Sequence, residues 1–253
     1  MTAPDSTDQV VAELHARLGD PTDHENPLGT AAVLAADEAG VPLRAGELLL
    51  RERGFAAELV PTADGGRFHR VGRTAALVRA LARRDPALAL DFGLAGFAAL
   101  WPLWATGHGD QRRRAADTLL AGRRIHAGGP GTLTLSRSGG RLLLDGRAPV
   151  DGDPRDAGGL LLRAAADGTE RLLLLDPTTL PAERYAAEPP ALRRPRAPRP
   201  GAVVFRHCPV PDAGTAQVAP PDVRGSSPWR RTDSGEPLAA ARGSSIFCPP
   251  TSD

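Results

Sequence analysis

Apolar positions recur at helical spacing in the first half of the chain and at strand spacing in the second. Val10, Val11, Leu14 and Leu18 share one face of a helix that Ser6 can cap and Gly19 ends, and Asp20-Pro21 breaks the chain after it. A second helical stretch covers Ala31 to Ala39 and stops at Gly40 and Pro42; a third runs from Leu43 to Arg53 before Gly54. Thr74 to Arg84 predicts a helix with Leu77, Val78 and Leu81 inward and Arg79, Arg83 and Arg84 outward. Asp85-Pro86 then opens an apolar segment, Ala87 to Trp104, and Asp110 is placed to cap a helix ending at Gly122.

After Arg124 the period becomes extended. Thr132 to Arg137 alternates, Ser138-Gly139-Gly140 turns, and Arg141 to Asp145 returns. Leu160 to Ala165 and Arg171 to Asp176 flank Ala166-Asp167-Gly168-Thr169, a hairpin signal, and Ala202 to Arg206 reads as a last strand. The pattern predicts an α+β protein. An α-helical domain over 1–124 precedes a small antiparallel β-barrel or sandwich over 125–212, and a Pro/Arg/Ser-rich tail over 213–253 buries too little apolar surface to order itself. The run Arg193 to Pro200 reads as a flexible basic linker rather than a nucleic-acid contact.

Composition removes whole classes of chemistry. All 31 basic residues among the 253 are Arg. A chain without lysine has no P-loop lysine, no Schiff base and no kinase β3 lysine. A net charge of +1 argues against whole-surface binding of nucleic acid. Cys208 and Cys248 form neither a disulfide framework nor a metal motif, and the histidines lack ligand spacing, so no metal site is expected. The N-terminus carries Asp5 and Asp8 and no apolar core, which predicts a cytoplasmic protein with no secretory signal. About 16 uncharged residues separate Asp91 from His108, short of the roughly 20 that a spanning helix needs, so a buried helix is expected there.

Three strings stand out: Leu49-Leu50-Arg51-Glu52-Arg53-Gly54-Phe55-Ala56-Ala57-Glu58-Leu59-Val60-Pro61, followed by Gly65-Gly66; Gly107-His108-Gly109-Asp110-Gln111-Arg112-Arg113-Arg114 with Leu119-Leu120-Ala121-Gly122; and Val204 to Pro211. In that order they resemble the "GL…VPEEYGG" signature, the "GTEEQKRRYLPRLASGE" helix and the "V.FD.v.VP" strand of the acyl-CoA dehydrogenase family. Together they cover Leu14 to Asp212 in the family's order.

The resemblance implies a flavoprotein. FAD would lie against the β domain, a carboxylate would remove the α-proton of an acyl thioester of CoA or a carrier protein, and the β-hydrogen would leave as hydride to the flavin. The family's usual source of the base, a C-terminal helical domain, has no counterpart here, so no catalytic residue is assigned. The resemblance thus implies an enzyme weakly active or inactive alone, either truncated or dependent on a partner chain, with a homo-oligomer or a companion subunit as the partner to expect. The alternative is an interaction module that has lost FAD.

Two flavin-contacting patterns map onto the chain. Ile125 to Gly131 stands where the family has "TE…GSD", which assigns His126, Ala127, Gly128 and Gly129 to cofactor binding, with an ordinary turn as the competing reading. Arg147-Ala148-Pro149-Val150-Asp151-Gly152 stands where it has "K.WITN", without the aromatic and hydroxyl residues. Trp101 and Trp104 are read as core or interface residues, with pocket lining as the alternative.

Overall fold

The computed structural model describes residues 6–129, 131–189, 201–211 and 215–217. Seven α-helices come first: α1 (Thr7–Leu18), α2 (Thr30–Ala39), α3 (Arg44–Glu52), α4 (Val71–Ala82), α5 (Pro86–Ala89), α6 (Ala95–Thr106) and α7 (Gly109–Leu120). Eight strands follow: β1 (Arg124–Ala127), β2 (Thr134–Ser138), β3 (Arg141–Val150), β4 (Ala157–Ala166), β5 (Thr169–Leu175), β6 (Tyr185–Glu188), β7 (Gly201–Val210) and β8 (Thr215–Gln217). The α+β class is as the pattern predicts. Among the described residues no helix is long and apolar enough to cross a membrane.

Local chemistry sets the helix ends. Ser6 Oγ accepts the Gln9 N–H, and Gly40 and Gly54 take the left-handed conformation that ends α2 and α3. Two expectations for charged residues change. Arg84, expected outward, donates to the carbonyls of Leu18, Gly19 and Leu28 and so ties the end of α1 to that of α4. Asp110 is not the cap of α7: His108 stands at the cap, and its N–H donates to Gln111 Oε1 at 3.1 Å. The apolar segment Ala87 to Trp104 is not one helix, because a π-helical turn over Leu90–Leu94 separates α5 from α6.

The loop resembling "VPEEYGG" is anchored from inside. Glu58 is fully buried, with Oε2 2.8 Å from Arg73 Nε and Oε1 2.9 Å from Arg67 Nε. Burial pushes its carboxyl up, and the two guanidinium groups more than offset this, holding it below the usual range. Gly66 allows the turn to close, since a Cβ there would lie 2.0 Å from the Val60 carbonyl oxygen.

The strands form one sheet in the order β6-β7-β3-β2-β4-β5-β8, with β1 on β4. It is mixed rather than antiparallel: β1 and the start of β2 run parallel to β4 along the same edge, because the chain passes from one to the other there. Its hydrogen-bonded path is open, from β6 to β8. Part of the stretch expected to lie unstructured, Thr215–Gln217, is a strand paired with β5. The rest of 213–253, with Cys248, and the run Arg193 to Pro200 lie outside the described residues.

The leucine runs of β4 and β5 are buried on both faces of the sheet. Leu160, Leu162, Leu173 and Leu175 pack into the sheet core with Phe205, whereas Leu161, Leu172 and Leu174 meet Leu103, Trp104 and Leu119 of the helices. Burying such a side chain stabilises by about 1.5–3 kcal/mol. Gln111, also fully buried, donates from Nε2 to the Leu172 carbonyl and fixes α7 against β5. Trp104 therefore belongs to the helix–sheet interface.

Candidate functional site

Strand β1 and the segment after it form a seam between β4 and the end of β3. His126 is 3 % exposed, and its Nδ1 lies 2.5 Å from the Asp151 carbonyl oxygen. A carbonyl only accepts, so Nδ1 carries a hydrogen. Among the described residues the ring's buried Nε2 has no partner. The Asp151 carboxylate accepts the Ala127 N–H at 2.6 Å, and the Asp151 N–H donates to the Ala127 carbonyl at 3.0 Å. Gly128 N–H donates to Leu161 O at 2.7 Å and Gly129 N–H to Pro149 O at 2.8 Å.

The segments 126–129 and 149–152 thus lie side by side: Gly128 also bridges Val150. Gly152 makes the turn that holds Asp151 in place. Its φ is +122°, and a Cβ on it would lie 2.5 Å from His126 Cε1.

The seam separates two clefts. One, of about 720 Å³, is lined by Ala127, Gly128, Gly129 and Leu161 together with the polar side chains of Arg163 and Glu170. The other, of about 480 Å³, opens on the helical side, with Phe55, Phe92, Leu119 and Ile125 in its walls and Asp91, Arg124, His126 and Asp151 at its polar end. Of the four residues assigned to a cofactor, His126 therefore faces the second cleft and Ala127, Gly128 and Gly129 the first. Both volumes suit a small-molecule site.

The polar end of the smaller cleft is rich in acceptors. Arg124 Nη2 lies 2.7 Å from Asp91 Oδ2 and 3.4 Å from Glu47 Oε1, and the guanidinium stacks 3.9 Å over the Phe92 ring. Asp91 stands on the π-helical turn, an irregularity frequent at functional sites. Burial raises its carboxyl above the usual range, against the pull of Arg124 and His126. Asp91 and Arg124 were not singled out in the sequence; the available signal was a lone carboxylate inside an apolar run.

Other candidates fall away from these clefts. His108 is an exposed helix cap. Cys208 is buried in the sheet core, which pushes its thiol up, away from nucleophilic use. Arg113 pairs with Asp110 on the exposed face of α7, while Arg112 reaches Asp64 at 2.6 Å.

No protein-family model matches the chain, and a search of curated proteins gives no match. Solved structures do. KijD3 in complex with FMN and dTDP-3-amino-2,3,6-trideoxy-4-keto-3-methyl-D-glucose matches with a TM-score of 0.64 and 20% identity, over 89% of this chain and 57% of that one. Butyryl-CoA dehydrogenase from Megasphaera elsdenii matches with a TM-score of 0.66 and 16% identity, over 85% and 59%. Acyl-CoA dehydrogenase complexed with FAD from Bacillus anthracis matches with a TM-score of 0.62 and 14% identity, over 84% and 38%. The chain spans less than two thirds of the length of each. The likeness is one of fold: the chain folds as part of the acyl-CoA dehydrogenases and related flavoproteins does.

Proposed function

We propose that the protein is a flavin-dependent oxidoreductase of acyl-CoA dehydrogenase-like architecture, in which the seam between 126–129 and 149–152 is one wall of the flavin site. The observation that carries this reading is the adjacency of those two segments beside the 720 Å³ cleft. An acyl thioester, of CoA or a carrier protein, is the substrate class the resemblance favours. KijD3, crystallised with a dTDP-linked amino sugar, makes a nucleotide sugar the second substrate to test. We read 1–124 and 125–212 as the helical and β domains, with further surface supplied by a second copy or a companion subunit.

The residues present fit the shape of a flavin better than its polar edge. The cleft has leucines beside its glycines, which permit close approach, with Arg163 and Glu170 also in its lining. The flavin's ring oxygens and nitrogens chiefly accept hydrogen bonds, and the N–H groups of Ala127, Gly128 and Gly129 already donate to Asp151, Leu161 and Pro149. Asp151, at the place of the family's hydroxyl residue, is acceptor-only when ionised. These residues thus do not complete a flavin site by themselves, and the same fact favours the second reading, an interaction module without flavin. Titration of the purified protein with FAD and FMN, followed by flavin fluorescence, tests the proposal. Gly129→Phe, at a position where a Cβ makes only an ordinary 3.5 Å contact with Pro149, should fill the cleft and abolish saturable binding.

A further inference from the structure

The 480 Å³ cleft opens on the helical side of the seam, across it from the proposed flavin wall. Its walls are apolar: Phe55, Leu59, Phe92, Leu100, Leu119 and Ile125. A missing side chain keeps part of this space open. Gly96 of α6 lines the cleft, and a Cβ on it would come within 3.2 Å of Leu59 Cδ1 and, among the described residues, within 4 Å of nothing else. A longer side chain at that position would extend into the cleft against the Leu59 wall.

Charged groups of both signs line the cleft, three arginines, two aspartates and His126, and those of its less exposed end already have partners. Arg124 Nη2 holds Asp91 Oδ2 at 2.7 Å and reaches Glu47 Oε1 at 3.4 Å, while Glu47 Oε2 accepts from Arg44 at 2.9 Å. Asp151 Oδ1 accepts the Ala127 N–H at 2.6 Å and lies 3.3 Å from His126 Nδ1. The other two arginines, Arg51 and Arg123, are exposed, and water screens them. At the paired end a cationic ligand would have to draw Asp91 away from Arg124, and an anionic one Arg124 away from Asp91. Either exchange leaves a charge of the protein short of its partner, and the entering group loses its own hydration. An uncharged molecule disturbs no pair and still covers the apolar wall.

We propose that this cleft binds an uncharged, largely apolar small molecule, packed along the wall of Phe55, Phe92 and Leu119 and held by burial of apolar surface rather than by ionic contact. A volume of about 480 Å³ lies in the range of small-molecule sites. The site is distinct from the flavin cleft and is filled independently of it.

N-phenyl-1-naphthylamine and 8-anilinonaphthalene-1-sulfonate share one ring system and differ by a sulfonate, so fluorescence titration of both into the purified full chain isolates the effect of charge. The neutral probe should bind saturably with one site per chain, roughly tenfold or more tighter than the sulfonate, because the latter brings a charge to be buried. 1-Octanol should displace it at a concentration roughly tenfold below that needed of octanoate or octylamine. Gly96→Leu should abolish the binding, and Gly129→Phe, which fills the other cleft, should leave it intact. Absence of saturable binding by the neutral probe would overturn the proposal. Equal or tighter binding of the sulfonate, or equal or stronger displacement by octanoate or octylamine, would overturn it in favour of an ionic ligand. Binding retained in Gly96→Leu, or lost in Gly129→Phe, would place the probe elsewhere and overturn it as well. The probe and competitor series on the unmutated chain decides even where a variant fails to fold.

Discussion

Asp151 holds His126 through its backbone and the next residue through its side chain: its carbonyl accepts from the imidazole Nδ1 at 2.5 Å and its carboxylate accepts the Ala127 N–H at 2.6 Å. One residue at the end of β3 thereby fixes both the ring that faces one cleft and the backbone that borders the other.

Asp151→Ala should leave the Ala127 N–H without its side-chain acceptor. The expected loss is about 1–3 kcal/mol of unfolding free energy in urea. Hydrogen exchange at the Ala127 amide should rise more than at Leu161, and equal protection at Ala127 in variant and parent would contradict the assignment.

Gly152→Ala should cost more than its size suggests. The backbone conformation alone, with φ of +122°, accounts for roughly 1–3 kcal/mol, and the new Cβ would press on His126 Cε1. Gly72→Ala, in α4 with open space around the new methyl, serves as the contrast and should be neutral or stabilising by up to about 1 kcal/mol. Thermal melts of the two variants should move in opposite directions or differ by several degrees.

Glu58→Gln should be the most damaging single change to the helical half, by about 3–5 kcal/mol, because it leaves Arg73 buried beside a neutral amide. The folded carboxyl titrates below its unfolded value, so its contribution is present above the unfolded pKa and is lost as pH falls through the folded one. Parent and variant stabilities, measured in urea from neutral to acid pH, should therefore converge on acidification. A constant gap would show that Glu58 acts through packing alone.

Asp91 runs the other way. Its folded carboxyl is raised, so its contribution is present below the unfolded value and is lost as pH rises through the folded value. Asp91→Asn should gain stability relative to the parent as pH rises from acid to neutral. A relative loss over that interval, by the same urea measurement, would mean that the pairing with Arg124 outweighs burial.

Much of the helical half and one hairpin of the sheet were legible because their signals are local. The Val10, Leu14 and Leu18 stripe, the left-handed glycines at 40 and 54 and the Asp167-Gly168 hairpin, both residues at positive φ, each need only a few neighbouring residues. Strand β1 was not legible. Four residues, Arg124 to Ala127, are too few to establish a period, and the glycines after them read more readily as an ordinary turn. Its parallel pairing with β4 depends on partners more than thirty positions away. The charged residues were the hardest to place: Arg84 and Asp91 look like surface positions until the carbonyls and the guanidinium they meet are known. His126 to Gly129 could be marked as one segment, but not that a strand edge divides it between two clefts.

The most direct test of the central claim is a visible spectrum of the purified chain followed by titration with FAD. With its three seam amides already engaged, the chain should carry little flavin as purified and should bind added FAD saturably but more weakly than micromolar, with loss of that binding in Gly129→Phe. Flavin retained at one equivalent through purification would contradict the shortage of donors, and FAD binding unchanged in Gly129→Phe would contradict the placement of the flavin at this seam.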